Sequence, residues 1–255
     1  MKFLKGLWRV IQPARHYLFK SPFAMVGAYY RYFGDLKKYR AQGGKIVWSD
    51  IAPVLYLKNE DAQSGGGHYF YQDIWALRKL RSIAPYVHYD IGSRYDGFVG
   101  QATAITKVIS IDIRKPSFSL PDFEFQYGDI TNLDIPANSI YSVSCLHTLE
   151  HIGLGRYGDR INPGGFSDGL LTLQHIIAPG GHLLISFPVG RPRVEFNAQR
   201  VLDPTIFTDL LPGMELLEFS VVNDHNEFIA NAWAADYINA KYACGLYHFV
   251  KKSRT

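Results

Sequence analysis

The stretch Tyr86–Gly97, YVHYDIGSRYDG, decides the fold. Val87, Tyr89 and Ile91 are β-prone, and Asp90 and Gly92 stand where such a strand ends, so the segment reads as a buried strand entering a glycine turn. At the carboxyl end of a strand in an open α/β sheet, a glycine lets a ligand approach the backbone, and the next helix offers free N–H groups. Taken alone, the same residues also suit a tight turn with an acidic cap. The segments on either side move the balance towards the ligand.

Downstream, the pattern predicts strands over Lys107–Ile113 (KVISIDI), Phe123–Ile130 (FEFQYGDI), Ile140–Leu146 (IYSVSCL) and His182–Val189 (HLLISFPV). A helix running to about Thr106 follows the first strand, and another over Phe166–Ala178 stops at Pro179-Gly180-Gly181. Met214–Val222 and Tyr242–Lys251 complete seven predicted strands, with a helical segment near Glu227–Asn239 between them. Alternating strands and helices imply parallel βαβ units, and the last two strands suit an antiparallel edge. The expected fold class is therefore α/β: a Rossmann-like, mostly parallel sheet. Upstream, His68–Arg81 is a helix by the spacing of Phe70, Ile74, Leu77 and Leu80. The Ser64–Gly67 loop (SGGG), with His68, Tyr69 and Gln72, suits either a lid over a ligand or a surface loop. Ile46–Leu57 holds two short β-prone patches split by Pro53.

Three successive predicted strands end in an acid: Asp90, Asp112 and Asp129. Asp112 lies 22 residues after Asp90, where an acid at the tip of the second strand accepts hydrogen bonds from ribose hydroxyls. Asp129 is placed to accept an adenine amino group, with Ile130 and Leu133 against the ring. The GxxxxG spacing of Gly92 and Gly97 is not a dinucleotide fingerprint, which disfavours NAD.

The order DIG, VISIDI, YGDI, LHTLEHI (Leu146–Ile152) and APGGHLLISFP (Ala178–Pro188) resembles the class I S-adenosylmethionine-dependent methyltransferases over about residues 85–251. Within that superfamily, GGHYFYQDIW, DIGSRYDGF, SCLHTLEHIGLGRYGD and EFNAQRV resemble a bacterial family named only as a domain of unknown function and met in surface-polysaccharide gene clusters. The resemblance implies a seven-stranded methyltransferase sheet with S-adenosylmethionine at its carboxyl edge. Asp90, Gly92, Ser93 and Arg94 would lie at the methionine end, Asp112 and Ile113 at the ribose, and Asp129 and Ile130 at the adenine, with Leu146 also in the cofactor site. Arg94 stands where the superfamily usually has a glycine, so it points away, pairs with the cofactor carboxylate, or marks a lost cofactor site.

His147, Glu150 and His151 form H-x-x-E-H, a spacing that also serves zinc in some metallopeptidases, and two histidines four apart on a helix would face one way and could hold a metal. In this methyltransferase-like context the expectation is no metal; His147 or His151 is instead the candidate base that takes the acceptor's proton. A histidine that merely caps or packs the segment is the alternative for each. Arg156, Tyr157, Arg191, Arg193, Asn197 and Arg200 lie in polar loops on the same edge, where guanidinium forks suit an anionic acceptor such as a nucleotide- or lipid-linked sugar. The alternative for the arginines is surface pairing with Asp159 and Glu195.

Charge divides the chain unevenly. Residues 1–45 hold ten Lys/Arg and one acid, net +9, and residues 46–255 hold 17 basic and 22 acidic residues, net −5. A negative domain disfavours nucleic acid as partner. Phe3, Leu7, Ile11, Ala14 and Leu18 follow a helical period among lysines and arginines, and Pro22–Phe33 is aromatic-rich. Residues 1–40 therefore suit an anionic membrane surface, or helices packed on the domain with their lysines in water. No apolar run suits a transmembrane helix, and the lysines interrupting the apolar segments argue against a secretory leader. Two cysteines in apolar runs form neither a disulfide framework nor a zinc spacing, which suits the cytoplasm, at the inner face of a membrane if the extension binds lipid. The expected organisation is a basic helical extension (1–45), a leading or lid segment (46–84) and the α/β domain (85–255). The expected activity is methyl transfer to a small or carbohydrate acceptor in surface-polysaccharide assembly, O-antigen among them. Two alternatives stay open: an inactive methyltransferase-like scaffold and, more weakly, a metal-dependent hydrolase on His147 and His151.

Overall fold

The computed structural model describes residues 22–48, 51–55 and 66–253. The chain divides into two compact units, residues 1–64 and 65–255. In the first, helix α1 (Pro22–Ala41) ends in a turn at Gln42–Gly44. Residues 46–48 and 51–55 form no strand, contrary to the β-prone reading of that segment. Pro53 has no N–H to give a ladder, which fits its absence. The amphipathic period over residues 3–18 lies outside the described residues, as do Ser64 and Gly65 of the glycine loop before His68.

The second unit opens with α2 (Gly67–Ile83) and is built on one sheet. Its strands are β1 (Val87–Ile91), β2 (Lys107–Asp112), β3 (Phe123–Tyr127), β4 (Ile140–Leu146), β5 (Ile177–Val189), β8 (Met214–Val222), β9 (Phe228–Ile229) and β10 (Ala243–Lys251). The order is β3-β2-β1-β4-β5-β10-β8-β9, so the seven expected strands are joined by the two-residue β9 at one edge. Strands β1 to β5 pair in parallel, while β10 runs antiparallel between β5 and β8. A small hairpin, β6 (Arg193–Glu195) and β7 (Gln199–Val201), replaces the polar loop expected there.

Both faces of the sheet are covered. On one, α3 (Gly165–Ile176) buries Leu170, Leu173 and Ile176 in a cluster with Ile111, Ile185, Phe187 and Tyr247. On the other, α2 buries Trp75 and Leu80 with Phe98, Val108, Leu184 and Leu246. Trp75 Nε1 donates to Glu218 Oε1 at 2.8 Å, and Lys79 pairs with the same carboxylate, which fixes α2 to β8. Strand order reverses between β1 and β4. In a doubly wound sheet the crevice at that switch point, outside the carboxyl ends, is where ligands bind.

Three element expectations are corrected. The helix over Phe166–Ala178 ends at Ile176, and β5 starts at Ile177, running through Ala178–Gly181 with a register shift against β4. Glu227–Asn239 is not one helix but β9 followed by a single helical turn, Ala234–Tyr237. His147 and His151 do not share a helix face. His147 sits at φ 48° just past β4, and only Leu149–His151 makes a helical turn.

Candidate active site

The turn after β1 is held from beneath. Asp90, fully buried, accepts from the Ser93 N–H at 3.2 Å and from the Ser93 and Ser144 hydroxyls, each at 2.6 Å. Burial outweighs those donors and raises its pKa to about 6. Because Ser144 donates to Asp90, it accepts from His88 Nε2 at 2.9 Å, which leaves His88 Nδ1 to accept from Ser142 at 2.8 Å. Gly92 takes φ +71°, and a Cβ there would meet Thr148 Cγ2 at 2.5 Å, so glycine is required twice over.

Above this turn opens a cavity of about 640 Å³, within the range of small-molecule sites. Of the residues the resemblance assigned to the cofactor, Gly92, Ser93, Arg94, Asp112, Ile113, Asp129 and Ile130 line it. Asp90 and Leu146 do not; the first supports the turn, and the second is packed in the core beside α2. Asp112 already holds Arg114, with Nε to Oδ1 at 3.0 Å and Nη2 to Oδ2 at 2.9 Å, and the Arg114 guanidinium lies 4.3 Å from the Tyr157 ring centre. Asp129 Oδ1 accepts from the Thr131 N–H and hydroxyl. Arg94 is drawn to Asp96 by two hydrogen bonds, at 3.0 and 2.6 Å, and crosses the Tyr69 ring at 4.7 Å.

The imidazoles differ in their surroundings. His151 Nδ1 stands 2.6 Å from the Ala198 carbonyl, which only accepts, so Nδ1 carries the proton and Nε2 keeps its lone pair. Glu150 Oε1 lies 3.6 Å from that Nε2. Burial lowers the pKa of His151 to about 4 and raises that of Glu150 to about 8. His147 lines the same cavity, its pKa lowered to about 3 by burial, with Nδ1 3.3 Å from Ser186 Oγ. A side chain at φ 48° is a local strain of a kind that clusters at functional sites.

The expected acceptor residues divide. Arg156 and Tyr157 line the cavity, and Arg156 Nη1 donates to the Ala198 carbonyl at 3.1 Å. Arg200 is buried and donates to the carbonyls of Glu150, Ile152 and Pro163, so it fixes the turn after β4. Arg193 pairs with Glu195, Asn197 donates to the Leu154 carbonyl, and neither these two nor Arg191 lines the cavity. Tyr69, which the sequence offered with the loop before α2 as either lid or surface, lines it as well, and Arg114 and Thr148 line it without having been expected to. A hint of Arg114 was its place two residues after Asp112, within reach of a short fork.

The strand order, the switch-point cavity and the acids at its rim now meet known structures. Over 73% of this chain and 91% of the other, at 12% identity and TM-score 0.53, it is similar to a structure described as a complex of the Haloferax volcanii Trm112 methyltransferase activator with a methyltransferase. The fold is that of the class I methyltransferases. YcgJ from Bacillus subtilis is similar over 72% of this chain and 99% of that one, at 10% identity and TM-score 0.51. The [4+2]-cyclase SpnF is similar over 77% and 86%, at 13% identity and TM-score 0.53. A family profile described as a Caenorhabditis protein of unknown function, DUF268, matches residues 126–239. No curated protein matches the chain.

Proposed function

We propose that this chain is an S-adenosylmethionine-dependent methyltransferase. The observation that carries this is the switch-point cavity with Gly92 at its floor and Asp112 and Asp129 on successive strand tips. S-adenosylmethionine would supply the electrophilic methyl. Asp112 would accept from the ribose while keeping Arg114, since a carboxylate has about four acceptor sites and three are in use. Asp129 Oδ1 is turned to Thr131, and its other oxygen would take the adenine amino group. His151 is the base: its Nε2 lone pair would accept the acceptor's proton, the ring being held by the Nδ1 bond to the Ala198 carbonyl.

The acceptor in this proposal is a hydroxyl of a small or carbohydrate molecule bearing an anionic group, such as a nucleotide- or lipid-linked sugar. Arg156 and Lys115 on the cavity wall support an anion there. Its place in surface-polysaccharide assembly is supported by the sequence resemblance alone. Residues 1–40 would bring the enzyme to an anionic membrane. In favour is a stripe on α1, where Phe23, Val26, Tyr30 and Phe33 fall on one helical face and are exposed, followed by exposed Lys37, Lys38 and Arg40.

A second reading, an inactive ligand-binding homologue, is favoured by Arg94 in the glycine turn and by Asp112 already being paired. Calorimetric titration with S-adenosylmethionine and S-adenosylhomocysteine decides between them. Micromolar binding lost in Asp112→Ala supports the cofactor site; no binding by folded protein supports the homologue.

A further inference from the structure

His68, His147 and Cys244 each offer a ligand atom, and these atoms lie within 4.8 Å of one another. They come from the start of α2, the exit of β4 and the start of β10. Strand β10 runs against the parallel strands, so its first residues reach the carboxyl edge where β4 ends. Residues 79 and 97 positions apart in the chain are thereby brought to one point.

We propose that this triad is a metal site, taking one borderline-soft divalent ion of the zinc or cobalt class. Two imidazoles and a thiolate are the donors such ions prefer, and three protein ligands leave a fourth position for water or substrate. The second imidazole nitrogens fit the part. His147 Nδ1 faces Ser186 Oγ at 3.3 Å and Glu150 Oε1 at 3.9 Å, which leaves Nε2 as the coordinating atom. That Nε2 is buried and has no hydrogen-bond partner among the described residues, and both Glu150 oxygens share this condition. With Nδ1 held by the Ser186 hydroxyl, the ring is oriented and its buried Nε2 is left open, as in a metal-ligating histidine whose second nitrogen is fixed by a hydrogen bond. His68 is likewise held by a hydrogen bond to the Tyr242 backbone, and its ring stacks on the Tyr242 ring at 5.2 Å.

Bonds of about 2.0–2.3 Å to nitrogen and sulfur need ligand separations of roughly 3.3–3.7 Å, so from separations within 4.8 Å the triad would close by up to about 1.5 Å on loading. His68 provides that movement most readily, being only partly buried and preceded by Gly66 and Gly67, both at positive φ. Cys244 binds as thiolate, its proton leaving to solvent. His147, alone of the three, also lines the cavity, and in this proposal the open position would face it. There the ion would hold an acceptor's hydroxyl or phosphate oxygen beside His151, a role that rests on the methyltransferase reading, whereas metal binding does not.

The test is reconstitution of the full chain, freed of metal by chelator and carrying no histidine tag, with Co²⁺ and separately with Zn²⁺. One Co²⁺ per chain is expected, with a sulfur-to-cobalt charge-transfer band in the near ultraviolet. Cys244→Ser abolishes that band, His68→Ala and His147→Ala weaken binding at least 100-fold, and His182→Ala, outside the triad, leaves it unchanged. Circular dichroism of each variant separates a lost ligand from a lost fold. Substoichiometric cobalt, or a band that survives Cys244→Ser, overturns the proposal. Parallel titration with S-adenosylhomocysteine keeps the two readings apart: failure of cofactor binding leaves the cobalt result standing, and the reverse.

Discussion

Asp90 shows how a buried residue beneath a turn can hold it without lining the cavity above. The folded protein holds the Asp90 proton up to about pH 6, whereas an ordinary aspartate releases it near 3.8. Between those values the folded state binds more protons than the unfolded one. Stability from this group is therefore full below pH 4 and lost as pH rises through 6, by roughly 3 kcal/mol. In Asp90→Asn the amide oxygen still accepts from Ser144 and Ser93, and the titration is gone. Urea unfolding of both proteins between pH 4.5 and 7 should show the wild type losing stability relative to the variant as pH rises; parallel curves would remove Asp90 from this account. His151 makes the complementary case. Its Nε2 lone pair is fixed by the Nδ1 bond to Ala198, so His151→Ala should lower kcat by about 10²–10⁴ while S-adenosylhomocysteine affinity stays within a few-fold. A matching loss of cofactor affinity would make it a packing residue instead.

At the scale of elements, the turn after β1 and the turn after β4 are built against each other. Gly92→Ala brings a Cβ within 2.5 Å of Thr148 Cγ2 at a φ of +71° that side chains rarely adopt. The variant should lose more than about 1 kcal/mol of stability together with S-adenosylhomocysteine binding. Thr148→Ser deletes that methyl, so the double variant should recover part of the stability, and a double-mutant cycle measures how much. Strictly additive effects would mean that the two turns are independent. The strands were legible because their chemistry is local: a run such as KVISID is apolar, β-branched and ends in an acid. What failed was set by distant partners. Ala178–Gly181 looked like a helix stop but joins β5, because Ile177 pairs with Ile140. Likewise, H-x-x-E-H suggested one helix face, whereas Ser186 and the β6–β7 hairpin turn its two imidazoles to different neighbours. Arg200 reads as an anion ligand in sequence, yet its carbonyl partners lie 37 to 50 residues away.

On the scale of the whole molecule, charge is divided unevenly along the chain, and the membrane proposal rests on that division. The sheet domain carries the cavity, and residues 46–255 are net −5, which repels an anionic surface; residues 1–45 are net +9. Among the described residues no helix is long and apolar enough to cross a membrane, so any attachment through them lies along the surface. If, as proposed, residues 1–40 meet an anionic membrane, the exposed α1 stripe would place aromatic rings in the interfacial zone, and exposed Lys37, Lys38 and Arg40 would add charge at its end. Each basic residue near an anionic leaflet contributes about 1 kcal/mol, so changing all three to Gln should weaken partition onto phosphatidylserine vesicles on the order of 100-fold. Binding of the full chain should also fall steeply with salt, since the attraction decays within a Debye length of about 8–10 Å at ordinary ionic strength. Vesicle flotation at two salt concentrations tests both. Equal flotation of the wild type and the triple variant would show that these charges do not act on lipid, and would leave the basic extension facing protein or solvent.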